Sequence, residues 1–187
     1  MTTTTPESTV ENEVEFILAL NMDQVATRDF AVNLVNWSSN TQNRGKSLRL
    51  NINSMGGNYL DCIFLFEEVQ RLRRKGHKVH LAAYGRAASC SAWFLQGGDK
   101  RIIGVNSWLL VHEISSRAEG TVSQVRAELA RMEQLQDHSI KLLTSRSKLT
   151  AEMIRKNIDG GRDWWIDANT AKELGLVDEV EDIPPFA

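Results

Sequence analysis

The sequence predicts an α/β fold built around a mainly parallel β-sheet. Two kinds of segment alternate along the chain. In one kind every second residue is apolar, which is typical of strands, and in the other the apolar residues recur at helical spacing. Strands that alternate with helices favour right-handed crossover units, which place successive strands parallel in one sheet. The 187 residues contain no internal repeat or linker, since proline occurs only at Pro6, Pro184 and Pro185. A single domain is therefore expected.

The first half of the chain supplies three strands and two helices. In order, the pattern predicts a strand at 15–20, a helix around 27–37, a strand at 47–53, a helix at 59–74 and a strand at 78–84. Leu48, Leu50 and Ile52 alternate with polar residues in the second strand, as expected for a strand with one buried face.

The middle of the chain continues this alternation over shorter elements. The pattern predicts a turn at 85–88, a short and almost wholly apolar helix at 89–96, and strands at 101–105 and 107–112. This order extends the parallel sheet toward the carboxyl-terminal half.

A long helix is predicted at about 121–147. This segment has no glycine or proline up to residue 147, and its apolar residues recur at steps of three or four: Val122, Val125, Leu129, Met132 and Leu135. The mean helix has only about 11–12 residues. We expect the helix to project from the domain and to mediate assembly; the alternative is that it lies across its own sheet.

Composition limits the partners. The net charge of −2 provides no long-range attraction for nucleic acid or for an acidic membrane. The amino-terminal residues are threonine-rich and acidic, unlike a secretory signal. We expect flexible tails at 1–13 and 183–187, a domain at 14–182, and a cytoplasmic protein without nucleic acid or membrane partners. Cys62 and Cys90 lie in apolar segments of the sequence and are interpreted as buried residues that behave as small hydrophobic side chains.

A serine stands where a predicted strand passes through a glycine turn into a helix. Ser89 ends the run Gly-Arg-Ala-Ala-Ser at residues 85–89. It is expected at the sheet edge, beside the unpaired N–H groups and positive dipole of a helix N-terminus. That position suits a nucleophile whose attack creates an oxyanion. Serine is also a favoured helix N-cap, so the residues alone leave that alternative open.

Two further segments contain groups that a nucleophilic serine would need. The paired glycines Gly56 and Gly57 allow backbone N–H donors to approach a substrate closely, although a simple turn has the same composition. His112 follows an apolar strand, and an imidazole is the side chain most often used as a general base near neutral pH. A structural histidine is the alternative.

The acid that would orient the histidine is less well determined. Asp163 is favoured because it stands between a glycine pair and a tryptophan pair, a setting in which a carboxylate can be held partly buried. Four other aspartates stay possible on the residues alone: Asp99, Asp159, Asp167 and Asp178.

Five segments together resemble the proteolytic subunits of Clp proteases. Residues 53–57 (Asn-Ser-Met-Gly-Gly) are similar to the family's Asn-Ser-Pro-Gly-Gly, and residues 85–92 (Gly-Arg-Ala-Ala-Ser-Cys-Ser-Ala) to its Gly-x-Ala-Ala-Ser-Met-Gly-Ala. Residues 111–113 (Val-His-Glu) resemble Ile-His-Gln. Residues 162–168 match Arg-Asp-x-x-x-x-Ala, and residues 171–178 match Ala-x-Glu-x-Gly-Leu-Val-Asp. The similarity keeps one order over about residues 15–180.

The resemblance implies a Clp/crotonase-like fold of stacked βα units, with the long helix as a protruding handle. It implies a serine-type endopeptidase that cleaves unfolded proteins or peptides inside an oligomeric ring chamber. The implied roles are nucleophile for Ser89, base for His112, orienting acid for Asp163, oxyanion-hole N–H donors for Gly57 and Cys90, and an oligomer contact for Arg162. No cofactor or metal is implied.

The implied partners are a polypeptide substrate, further copies in stacked heptameric rings, and an AAA+ unfoldase. The sequence before residue 15 does not match the family's axial loop, so the unfoldase is the partner with the least support. A stand-alone or phage-encoded member of the family is the alternative. Met55 and Ser91 depart from the usual Pro and Gly. Two other functions stay open: an acyl-CoA-binding crotonase-like enzyme, and a catalytically idle ring-forming subunit.

Overall fold

A computed structural model describes residues 13–182 of the chain. The strands within them are β1 (Glu13–Leu18), β2 (Ser47–Ser54), β3 (Lys78–Ala88), β4 (Lys100–Gly104), β5 (Trp108–Val111), β6 (Trp164–Asp167) and β7 (Glu179–Glu181). The helices are α1 (Gln24–Ser39), α2 (Tyr59–Arg74), α3 (Cys90–Phe94), α4 (Val122–Thr144), α5 (Ala151–Ile158) and α6 (Ala168–Glu173). The tails predicted at 1–13 and 183–187 lie outside the described residues, apart from Glu13, which begins β1.

The sheet is parallel except for one pair of strands. Strands β1, β2, β3, β4 and β7 lie side by side in that order and pair in parallel. Strand β5 pairs in parallel with the end of β3, and β6 runs antiparallel to β5. The predicted α/β fold with a mainly parallel sheet is confirmed. Leu48, Leu50 and Ile52 are fully buried, as their alternation predicts.

Strand β3 continues through residues 85–88, where the sequence wrongly predicts a turn. Gly85 has a φ of +78°, which glycine adopts without steric cost, and its N–H donates to the buried hydroxyl of Ser107 (2.8 Å). The strand changes partner at this glycine: residues 80–83 pair with β4, and residues 86–88 pair with β5. Pairing with β5 keeps the second half extended, and so carries the chain directly into α3.

Helix α4 begins at a capping box, in which Thr121 and Gln124 bond to each other's backbone N–H groups. The first half of the helix is exposed, including Val122 and Leu129, which are 69% and 55% accessible. The second half packs on the domain through side chains such as Ile140. The helix therefore protrudes as predicted and lies against its own domain only near its end. No helix within residues 13–182 has the length and hydropathy that a membrane-spanning segment requires.

A buried arginine joins the end of α4 and the closing segment to the sheet. Arg101 on β4 is 4% accessible, and its guanidinium donates to the Asp178 carboxylate, the Gln96 side chain, and the carbonyl oxygens of Arg146 (3.1 Å) and Gly175 (2.8 Å). We call these residues the Arg101 cluster. A buried guanidinium requires such partners, because its desolvation is otherwise unfavourable. The cluster gives the Gly-Leu-Val-Asp run at 175–178 a structural role.

Candidate active site

Ser89 lies at a strained junction between β3 and α3. Among residues 13–182 it is the non-glycine residue with a positive φ, at +57°. Such a conformation costs on the order of 1–3 kcal/mol and persists only where neighbours enforce it. The Ser89 N–H donates to the Leu110 carbonyl (2.9 Å), and the Ser89 carbonyl accepts from the Ala92 N–H (3.0 Å). Ser89 occupies the N-cap position of α3, as the alternative expects, but its side chain makes no capping hydrogen bond, so the hydroxyl is not used to cap the helix.

The two glycines after β2 pack directly against this junction. A Cβ added at Gly56 would lie 2.6 Å from the Ala88 carbonyl oxygen and 2.7 Å from the Ser89 Cβ. A Cβ added at Gly57 would lie 2.3 Å from the Met22 carbonyl oxygen. All three distances are far below van der Waals contact. Glycine is therefore required for this close approach of three backbone segments.

Two backbone N–H groups are left available beside the serine. Met22 forms a parallel bridge with Gly57, in which the Met22 N–H donates to Gly56 O (2.8 Å) and the Asn58 N–H donates to Met22 O (2.8 Å). In such a bridge the central residue directs its own N–H to the opposite side, so the Gly57 N–H faces away from Met22. The Cys90 N–H begins α3, where N–H groups lack intrahelical partners. Gly57 and Cys90 line the same cavity as the serine.

The cavity beside Ser89 has a volume of about 240 Å³. Tyr59 and Trp93 form one of its walls, with their ring centroids 5.3 Å apart. The remaining apolar lining comes from α2, β5, the segment after β5, and α4: Leu60, Val111, Ile114, Met132, Leu135 and Leu143. This lining suits an apolar side chain placed next to the serine hydroxyl.

His112 stands on the cavity wall directly after β5 and is partly exposed. Its Nδ1 contacts the Glu113 carbonyl oxygen at 2.5 Å. Because a carbonyl oxygen only accepts, this bond requires a proton on Nδ1, and the neutral ring then carries its lone pair on Nε2. That tautomer is the one a general base beside serine needs. Within residues 13–182, Ser89 and His112 share the cavity without a direct hydrogen bond, as is common in unliganded sites.

Asp163 directly precedes β6, and His112 directly follows β5. Val111 pairs with Trp164 in antiparallel register, so the next position outward sets His112 opposite Asp163. The expectation of a partly buried carboxylate is wrong: Asp163 is exposed, because the ladder ends at Trp164 and the chain turns away through Gly160 and Gly161. In the described part of the chain, His112 Nδ1 is bonded to a carbonyl oxygen and not to this carboxylate.

Three of the other aspartates have structural partners. Asp99 accepts hydrogen bonds from the Arg73 side chain and the Val79 N–H. Burial acts to raise the pKa of Asp99, but these hydrogen bonds outweigh burial and lower it. Asp167 caps α6, and Asp178 belongs to the Arg101 cluster. None of these three carboxylates, nor that of Asp163, is among the groups that line the Ser89 cavity.

Asp159, the fourth alternative aspartate, and Ser91, a second serine close to Ser89, lie outside the cavity. Asp159 ends α5 and lines other surface depressions. Ser91 is fully buried, and its hydroxyl bonds to the carbonyl oxygens of Ser54 (3.1 Å) and Ala88. Ser91 is thus inaccessible as a rival nucleophile.

The remaining sequence expectations concern Arg162 and the cysteines. Arg162 is exposed, and its side chain donates to the Lys156 carbonyl oxygen (2.8 Å). Cys62 and Cys90 are free thiols and buried, as predicted. Burial raises the pKa of the Cys62 thiol, which keeps it in the neutral form.

Helix α4 lines the site, which its sequence does not indicate. The apolar stripe is predicted to mediate assembly along its whole length, whereas Met132 and Leu135 line the Ser89 cavity and Val122 and Leu129 are exposed. A stripe at steps of three and four drifts around a straight helix, so its two ends meet different surroundings. Spacing alone does not indicate where one face ends and the other begins.

Comparison with known proteins identifies one family. The Clp protease family model matches residues 4–183. The ATP-dependent Clp protease proteolytic subunit 2 of Frankia casuarinae is 31% identical over 180 residues, covering 94% of this chain and 78% of the relative. Subunit 1 of Corynebacterium glutamicum is 29% identical over 182 residues (96% and 84%). Subunit 1 of Rhodopirellula baltica is 33% identical over 144 residues (75% and 60%), so the chain spans less than two thirds of that relative.

Gly56→Ala should impair both stability and the reactivity of Ser89. The new methyl group overlaps Ala88 and Ser89, which adds roughly 1–3 kcal/mol of overpacking to the roughly 1–2 kcal/mol that a left-handed backbone costs. The measurements are the free energy of unfolding in denaturant and the rate of labelling by a fluorophosphonate.

Gly45→Ala is the matched control. Gly45 has a similar φ of +76°, but a Cβ there meets nothing within 4 Å. The free energy of unfolding of this variant should fall only by the roughly 1–2 kcal/mol that a left-handed backbone costs. Its rate of labelling should stay normal. Equal losses in the two variants would contradict the role given to the Gly56 contact.

Proposed function

The chain belongs to the Clp protease family, a family of serine-type peptidases, and we propose that it cleaves polypeptides through Ser89, His112 and Asp163. One observation carries this proposal: the strained Ser89 junction shares a cavity with His112 and with the N–H groups of Gly57 and Cys90. A nucleophile, a base and two oxyanion donors are the minimum set for acyl transfer.

The proposed reaction follows from these positions. The Ser89 Oγ attacks the scissile carbonyl carbon while His112 Nε2 accepts the hydroxyl proton. The carbonyl oxygen becomes an oxyanion, which the N–H groups of Gly57 and Cys90 stabilise. His112 then donates its proton to the leaving amine, and water hydrolyses the acyl-enzyme by the same route in reverse. The apolar cavity next to Ser89 would accept an apolar side chain of the substrate.

Asp163 is proposed to orient His112 and to stabilise its charged form. The support is the β5–β6 register, which sets the two residues opposite each other. Asp163 is exposed and lies directly beyond the last pair of this ladder. The other aspartates considered above are held by structural partners or lie away from the cavity.

The substrate is proposed to bind as an extended peptide. Residues 112–119 after β5 have no regular secondary structure, and Ile114, Ser115 and Ser116 line the cavity. An extended peptide laid along this segment could add main-chain hydrogen bonds to it, as in strand addition at a sheet edge. Such binding would exclude folded proteins and favour unfolded chains.

Assembly into stacked rings is proposed from the protruding half of α4. Val122, Val125 and Leu129 are exposed there, and a second copy would remove this apolar surface from water. The relatives' names include the words ATP-dependent and proteolytic subunit, which supports ring assembly and an AAA+ unfoldase as partner. A cytoplasmic location stays a prediction. Among the contacts within residues 13–182, none favours acyl-CoA binding or an idle subunit.

Ser89→Ala should abolish labelling by a fluorophosphonate and cleavage of an unstructured peptide, because the attacking oxygen is removed. Mass spectrometry of the labelled protein and a fluorogenic peptide assay measure the two effects. Ser91→Ala is the matched control and should keep the label, since Ser91 is buried. Label retained in Ser89→Ala would refute the assignment of the nucleophile.

Asp163→Ala should slow labelling of Ser89 by a factor of about 100 or more, because His112 loses the carboxylate that stabilises its charged form. The rate is measured under single-turnover conditions with the same fluorophosphonate. Asp159→Ala removes a nearby carboxylate outside the cavity and should label at the wild-type rate. If the two variants reacted equally fast, Asp163 would not be the orienting acid.

Leu129→Glu should reduce the native mass of the oligomer, because burying a carboxylate in an apolar contact is strongly unfavourable. Native mass spectrometry measures the subunit number at fixed protein concentration. Ser123→Glu adds the same charge to the same half of α4 at a polar position and should assemble normally. An unchanged mass for Leu129→Glu would exclude this surface from the interface.

A further inference from the structure

The peptide group between Glu113 and Ile114 is hydrogen-bonded on both sides. Its carbonyl oxygen accepts the proton of His112 Nδ1 (2.5 Å), and its N–H donates to Oε1 of Gln136 on α4 (2.6 Å). One peptide plane thus connects α4 to the histidine of the candidate site. Gln136 lies outside the sequence motifs described above, whereas Glu113 closes the Val-His-Glu motif at residues 111–113.

The Gln136 contact determines which way this peptide faces. The segment 112–119 has no regular secondary structure, so no ladder prescribes the orientation of its peptide groups. In a planar trans peptide the N–H and C=O point in opposite directions. Binding the N–H to α4 therefore directs the carbonyl oxygen away from α4 and toward the imidazole. A hydrogen bond on the N–H also polarises the carbonyl and strengthens it as an acceptor.

Gln136 is itself well placed to act as an anchor. It is partly buried, and it lies where α4 begins to pack on the domain, just before the buried Ser139 and Ile140. The Ser139 hydroxyl donates to the Gln136 carbonyl oxygen (2.8 Å). The side chain of Gln136 therefore extends from the part of α4 that is attached to the domain, whereas residues 122–131 protrude.

We propose that Gln136 is a positioning residue for His112, which acts by holding the Glu113–Ile114 peptide. The held carbonyl keeps the proton on Nδ1 and the lone pair on Nε2, and so supplements Asp163 as a second acceptor for the same ring nitrogen. This inference rests on the proposed function of His112 as the general base. It assigns to α4 a part in the chemistry as well as in assembly.

Gln136→Met tests the proposal, since methionine has a similar length and lacks the oxygen acceptor. The single-turnover rate of fluorophosphonate labelling at Ser89 should fall about tenfold, the effect of one hydrogen bond, with KM for a peptide substrate unchanged. Gln136→Glu keeps an oxygen acceptor and should restore the rate to within about threefold. Gln134→Met makes the same substitution at an exposed position of α4 and should label like the wild type.

A double-mutant comparison separates positioning from structural damage. In a His112→Ala background, measured over long incubations, Gln136→Met should cause no further loss, because its effect passes through the histidine. An additional tenfold loss in that background would overturn the proposal, as would a normal rate for Gln136→Met alone. A wild-type protein that takes no label would overturn the proposed function itself, whereas a labelled wild type with an unaffected Gln136→Met variant overturns this inference alone.

Discussion

The left-handed backbone at Ser89 is the constraint on which the rest of the site depends. The β3–β5 ladder holds it from one side, through the bond between the Ser89 N–H and the Leu110 carbonyl. Gly56 packs against it from the other, at a distance that excludes any side chain. Because the chain turns so sharply at Ser89, α3 starts at once, and the Cys90 N–H is left available beside the hydroxyl. The strain at Ser89 is thus offset by contacts with two segments that are far apart in the sequence: β5 at Leu110 and the turn after β2 at Gly56.

Helix α4 connects the exposed surface proposed for assembly with the interior of the candidate site. Its first half exposes Val122, Val125 and Leu129, while its second half contributes Met132 and Leu135 to the cavity. Gln136 follows these residues and bonds to the peptide beside His112. A subunit that covers the first half of α4 would therefore contact the same helix whose second half lines the candidate site. The Arg101 cluster fixes the far end of that helix to the sheet through the Arg146 carbonyl.

Two departures from the family motifs have simple structural explanations. Ser91 stands where the family usually has glycine. Its hydroxyl is accommodated in the core because the carbonyl oxygens of Ser54 and Ala88 both lie within hydrogen-bonding distance of it. Met55 stands where the family usually has proline, and its side chain is 45% accessible, so the turn after β2 can take it without a steric conflict. Both changes leave the glycine contacts at Ser89 in place.

The sequence by itself determined the α/β alternation, the long helix and the candidate residues Ser89, His112, Gly57 and Cys90, because each depends on local spacing or on a contiguous motif. Only the tertiary structure decided that residues 85–88 continue β3, since that depends on pairing with β5. It also decided that Ser91 is buried, that Asp163 is exposed, and that Gln136 reaches the peptide beside His112. Those outcomes depend on contacts between segments far apart in the chain, and no local pattern encodes which carbonyl or carboxylate lies next to a given side chain.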